Sequence, residues 1–91
     1  MSSSVLQTEK ECFYCGSPYV EKHHLYKSHK CRKIADKEGL WVWLCHEHHT
    51  GQMGVHNNRD KDIELMKAGQ RIYEQTHTRE EFRKNFIKSY L

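Results

Sequence analysis

The sequence predicts a small α+β domain stapled by zinc, with additional helices after its core. Three observations predict it. Cys12 and Cys15 form a C-x2-C pair, and Cys45 and His48 form a C-x2-H pair after 29 intervening residues. Leu40-Trp41-Val42-Trp43-Leu44 is a run of five apolar residues directly after Gly39, which reads as a strand leading into Cys45. The last third of the chain repeats apolar residues at helical spacing.

Size explains why a staple is expected. The chain has 91 residues, 36% of them apolar and 30% charged, enough for one domain but short of core. Chains of this size often depend on a metal or on disulfides to fold. Met1-Ser2-Ser3-Ser4-Val5-Leu6 has neither a basic start nor an apolar run, so no secretory leader is read there. Without that route a C-x2-C pair points to metal binding, and the expected compartment is the cytoplasm. No stretch approaches the roughly 20 apolar residues of a membrane span.

In chain order, residues 1–10 carry no pattern and are expected to be a frayed terminus. Cys12-Phe13-Tyr14-Cys15-Gly16 is a metal knuckle, with Gly16 giving the tight turn. Tyr19-Val20 starts a short strand toward His23-His24-Leu25-Tyr26. Residues 27–39 form either a long hairpin loop or a helical turn around Cys31–Ala35. The strand 40–44 follows, with both faces buried. Cys45–Thr50 starts a helix that places positions 45, 48 and 49 on one side, and Val55-His56-Asn57-Asn58 is a turn. A helix is expected from Asp60 to about Thr76, with Leu65, Ala68, Gly69, Ile72 and Tyr73 as its stripe. Thr78-Arg79-Glu80-Glu81 is a capping box opening a last helix, whose face is Phe82, Phe86, Ile87, Tyr90 and Leu91. That face reads as core or as a partner-helix surface. The chain is taken as a single domain, 1–91, with a zinc-bearing core at 12–58 and a helical extension at 59–91.

Structural zinc takes four thiolate or imidazole ligands in a tetrahedron, arranged as sequence-local pairs. Cys12, Cys15, Cys45 and His48 are such a set. Cys31, alone in a basic segment, is read as free, with replacement of His48 as the alternative.

His23, His24, His49 and His56 remain. Neighbours on a strand point to opposite faces, so His23 and His24 can divide their work, one holding a metal and the other facing a water. Imidazole suits a base at neutral pH, and phosphodiester hydrolysis needs a base together with a cation. Charge points the same way. Residues 21–37 carry Lys22, Lys27, Lys30, Arg32, Lys33 and Lys37 against only Glu21 and Asp36. A polyanion would be drawn to this segment, and Lys27, Lys30, Arg32 and Lys33 are the candidate phosphate contacts. A merely solubilising lysine-rich loop is the plainer reading of the same residues.

His-His after a C-x2-C knuckle, followed by a strand into Leu44-Cys45-x2-His48-His49, resembles the HNH (ββα-metal) nucleases, particularly small phage-encoded members. The resemblance covers about residues 12–58. It implies a zinc-stapled ββα-metal core and a divalent-metal-dependent DNA endonuclease. His23 and His49 would then ligate the catalytic cation (magnesium, manganese or nickel), and His24 would be the general base. His56 would join the metal or touch the scissile phosphate. DNA is the implied partner, with RNA an alternative and a homodimer the simplest route to cutting two strands. The implied setting is a bacterial or phage-infected cell. The family's middle Asn falls near Leu40 or Trp41, neither of which can orient an imidazole, and Asn57 or Asn58 are the remaining candidates. The alternative function is a non-catalytic zinc-finger module that binds nucleic acid or a protein partner, including one docked on the C-terminal helix.

Overall fold

The computed structural model describes residues 4–91. It is a small α+β fold with a two-stranded antiparallel sheet and four helices. Strand β1 is Glu21–His24, helix α1 His29–Glu38, strand β2 Trp41–Leu44 and helix α2 His46–His49. A 3₁₀ turn at Val55–Asn57 precedes helix α3, Arg59–Tyr73, and helix α4, Arg79–Phe86. The register sets Glu21 opposite Leu44, His23 opposite Val42 and His24 opposite Trp41. Among the described residues no helix is long and apolar enough to cross a membrane.

Two expectations are corrected here. The link between the strands is neither a hairpin loop nor a single turn but the ten-residue helix α1. Its signals were present: the Ser28 side chain accepts from the Cys31 N–H, and Gly39 ends the helix in the left-handed region at φ 75°. Residues 4–10 are not frayed. The Ser4 hydroxyl donates to the Trp41 carbonyl at 2.6 Å, and the Trp43 N–H donates to Gln7 Oε1 at 2.7 Å. The Phe13 N–H adds a bond to the Trp43 carbonyl at 2.8 Å. The terminus and knuckle thus occupy the edge of β2 that β1 leaves open, which removes an exposed strand edge. Residues 1–3 lie outside the described residues.

The core is one apolar cluster that runs from Cys12 through Leu25, Tyr26, Leu40, Val42 and Leu44 to Leu65, Phe82 and Phe86. In α3 the buried face is Asp62, Leu65, Met66, Gly69, Gln70 and Tyr73, so the expected stripe is displaced: Ala68 and Ile72 are only half-buried, and two polar residues take part. A Cβ on Gly69 would stand 2.6 Å from Leu25 Cδ1 and 2.8 Å from the Tyr26 hydroxyl. Both neighbours are fully buried, and the Tyr26 hydroxyl donates to the Met66 carbonyl at 2.6 Å. Gly69→Ala should therefore destabilise by about 1–3 kcal/mol, because overpacking outweighs the roughly 1 kcal/mol gained in helix propensity. Urea unfolding checks this, and a more stable variant would contradict it.

The capping box at α4 forms as expected, with the Glu81 N–H donating to Thr78 Oγ1 and the Thr78 N–H donating to Glu81 Oε1. Phe82 and Phe86 are core, not a free partner-helix face. Ile87 departs from the expected apolar face. It is 72% exposed and adopts φ 79°, ψ −51°, while the Lys88 N–H donates to the Phe86 carbonyl across it. This is a γ-turn of the rarer, strained hand, on a β-branched residue. Ile87→Gly should stabilise the fold by about 1 kcal/mol, read as a rise in the urea midpoint, because glycine reaches this region without the Cβ clash.

Candidate metal centres

The C-x2-C knuckle, the end of β2 and the start of α2 bring four donors together. Cys12, Cys15, Cys45 and His48 present ligand atoms that all lie within 4.8 Å of one another. Cys15 Sγ is 3.7 Å from Cys45 Sγ, and His48 Nδ1 is 3.7 Å from Cys12 Sγ and 3.2 Å from Cys45 Sγ. A tetrahedral zinc spaces two sulfurs by about 3.8 Å and a sulfur and a nitrogen by about 3.5 Å. The cluster fits that ion. Local backbone builds it: Gly16, at φ 76°, turns its N–H onto the Cys12 carbonyl. Burial pulls the Cys12 thiol up, but hydrogen bonds from the Cys45, Cys15 and Tyr14 backbones outweigh it and hold the thiol at about 6. Thiolate is the form that binds metal. Cys31 is not in the cluster; its thiol is buried 3.8 Å from the Asn85 carbonyl.

A second group forms on the other side of α2. His23 from β1, His49 from the end of α2 and His56 from the 3₁₀ turn converge with ligand atoms within 4.8 Å of one another. Their rings are 4.7–5.2 Å apart. Gly54 makes this possible: a Cβ there would lie 2.4 Å from the His49 carbonyl oxygen, so only glycine lets the loop fold back and bring His56 to His49. Burial, followed by the facing His49 and His56, pushes His23 down to about 3, which keeps it neutral. Burial and His49 also lower His56. Neutral imidazoles are the form that ligates metal.

His49 Nδ1 lies 2.7 Å from Glu21 Oε1. A carboxylate only accepts, so this nitrogen carries a proton, and in the neutral ring Nε2 keeps the lone pair. That bond is also the main cause holding the Glu21 carboxyl below its ordinary value. Three imidazoles, one already oriented by a carboxylate, suit a transition-metal ion better than magnesium.

No known protein family, curated protein or solved structure matches this chain. Its chemistry is therefore read from its own side chains.

The histidines line a cleft of about 320 Å³ together with Lys22, His24, Lys27 and Arg32. His24 is not in the converging trio. Its Nε2 lies 3.4 Å from Asp36 Oδ1, and Lys22 pairs with the same carboxylate. Of the expected phosphate contacts, only Lys27 and Arg32 border the cleft. Lys33 lines an adjacent depression with His24 and His29, and Lys30 stands on the exposed face of α1. Lys27 already has a partner, Asp62 Oδ2 at 2.9 Å. Sequence reasoning named the four histidines but passed over Glu21, Asp36, Asp62 and Lys22. Asn57 donates to the Thr50 and Gly51 carbonyls, and the Asn58 side chain caps α3, so neither orients an imidazole.

Proposed function

We propose that this protein is a divalent-metal-dependent endonuclease of the HNH type, cutting DNA phosphodiester bonds, with its Cys3His cluster holding a purely structural zinc. The observation that carries the reading is the convergence of His23, His49 and His56 beside His24 in a cleft edged by Lys22, Lys27 and Arg32. The order β1, β2, α2, with one ligand on β1 and another on α2, supports the ββα-metal arrangement. A cation held by the trio would stabilise the charge that develops at the scissile phosphate. His24 takes a proton from the attacking water. Asp36 stands 3.4 Å from its Nε2 and takes the orienting part for which the sequence offers no asparagine. Lys22, Lys27 and Arg32 hold the phosphate backbone without reading sequence.

Zinc-loaded protein incubated with supercoiled plasmid and manganese, nickel or magnesium tests this. Nicked or linear product is expected, best with manganese or nickel. His24→Ala should lower the rate about 10²–10⁴-fold with the fold intact. Equal rates in the two proteins would remove His24 from the chemistry. No cleavage with any metal, and none of a structured RNA, would leave the zinc module without catalysis as the better reading.

A further inference from the structure

We propose that Asp62, on α3, is the carboxylate that fixes His23 as a ligand of the histidine centre. It is a positioning residue that acts through His23, and the proposal rests on the reading that His23, His49 and His56 hold a cation.

The helix face that carries Asp62 is buried and, apart from Gln70, made of core residues: Leu65, Met66, Gly69 and Tyr73. Asp62 is 4% exposed, and a carboxylate so buried needs compensation at each oxygen. Lys27 compensates Oδ2 at 2.9 Å, whereas Oδ1 has no hydrogen-bond partner. His23, 2% exposed, has the complementary gap: its Nε2 is also buried and unpartnered. These two atoms face each other at 3.9 Å. Buried side-chain atoms without a partner are rare in native proteins, and each calls for an explanation. Here two such atoms explain one another.

The chemistry follows from the inventory of donors. A neutral imidazole carries one proton, and a carboxylate oxygen can only accept it, so the proton belongs on His23 Nε2. Nδ1 is then the nitrogen whose lone pair is free for His49 and His56's common ion. His49 repeats the pattern with its ring the other way round, giving Nδ1–H to Glu21. Metal-bound histidines characteristically give their second N–H to a carboxylate, which locks the tautomer and strengthens the donor. A shift of about 1 Å closes the gap to hydrogen-bond length, a movement that a cation pulling on the ring would drive. The consequence is that α3, outside the metal-ligand segments of the sequence, belongs to the machinery of the site.

The test uses the full zinc-loaded chain and two readouts that do not depend on cleavage. Nitrogen-15 NMR of the imidazoles should show His23 protonated at Nε2. Nickel titration by calorimetry should show Asp62→Asn binding about 10–100-fold more weakly than wild type, with zinc content and circular dichroism unchanged. A wild type that binds nickel and an Asp62→Asn protein that binds it equally well would overturn the proposal and leave the endonuclease reading standing. A wild type that binds no nickel beyond its zinc would overturn both. Should Asp62→Asn fail to fold, the wild-type spectrum decides alone: a His23 protonated at Nδ1 is incompatible with the assignment.

Discussion

Replacing Cys45 with serine, or stripping zinc with a strong chelator, is expected to abolish the cooperative fold. Zinc held by a structural site of this kind contributes on the order of 10–16 kcal/mol at neutral pH, whereas a whole domain is stable by only about 5–15 kcal/mol. A zinc at this cluster would therefore contribute as much as the whole net stability of a typical domain. Cys45 ties this loss to the fold because it sits between β2 and α2, at the N-cap position of the helix that carries His48 and His49. Thermal unfolding followed by circular dichroism, alongside a zinc assay, checks the expectation. An unchanged melting curve in metal-free protein would mean that the apolar cluster suffices and the four donors are incidental.

Phe82→Ala should be the most damaging substitution away from the donors, costing about 3–5 kcal/mol. The ring is completely buried and meets Tyr26 at 5.3 Å, Phe86 at 4.8 Å and Tyr73 at 5.7 Å between centroids. Tyr26 follows β1 by two residues, so α4 packs on the segment that leads from the strand carrying His23 and His24 into α1. Loss of the ring therefore leaves a cavity beside Tyr26 and Tyr73 as well as loosening a helix. Denaturant unfolding measures the cost. A loss below about 1 kcal/mol would show that α4 is a detachable cover.

The parts of this molecule that could be read in the sequence are those where chemistry fixes the spacing. Zinc ligands must come in local pairs, so C-x2-C and C-x2-H stand out, and the apolar run before Cys45 has to be a strand to deliver it. His23 and His49 of the trio were nameable because each belongs to a conspicuous adjacent pair, His23-His24 and His48-His49. The second rank of the site was hidden. Glu21 and Asp36 looked like ordinary surface charge in a lysine-rich segment, and only the β1–β2 pairing and the α1 packing bring them to His49 and His24. Asp62 was hidden for a different reason. On α3 it lies one turn before Leu65 and Met66, on the face that faces the core, but an apolar stripe is traced by its apolar members and passes over a carboxylate in line with them. Helix α1 was obscured by its own lysines, which left only Cys31 and Ala35 buried, so its cap residues Ser28 and Gly39 were better evidence than its periodicity. Residues 4–10 carry no motif at all, because what they supply to β2 is two polar side chains, Ser4 and Gln7, at positions no pattern marks.

His48 and His49 are consecutive residues of a single four-residue helix, one facing the sulfurs and the other the imidazoles. No hinge separates them. Whatever holds one ring in place narrows the backbone freedom of the other, so ions bound at the two clusters would share a coupling free energy. Such coupling is reciprocal: an ion at the histidine cluster would raise zinc affinity at the Cys3His cluster by the same factor by which zinc would raise affinity at the histidines. The protein is in this sense a two-key device. Loss of an ion from the Cys3His cluster would then loosen the histidine cluster as well.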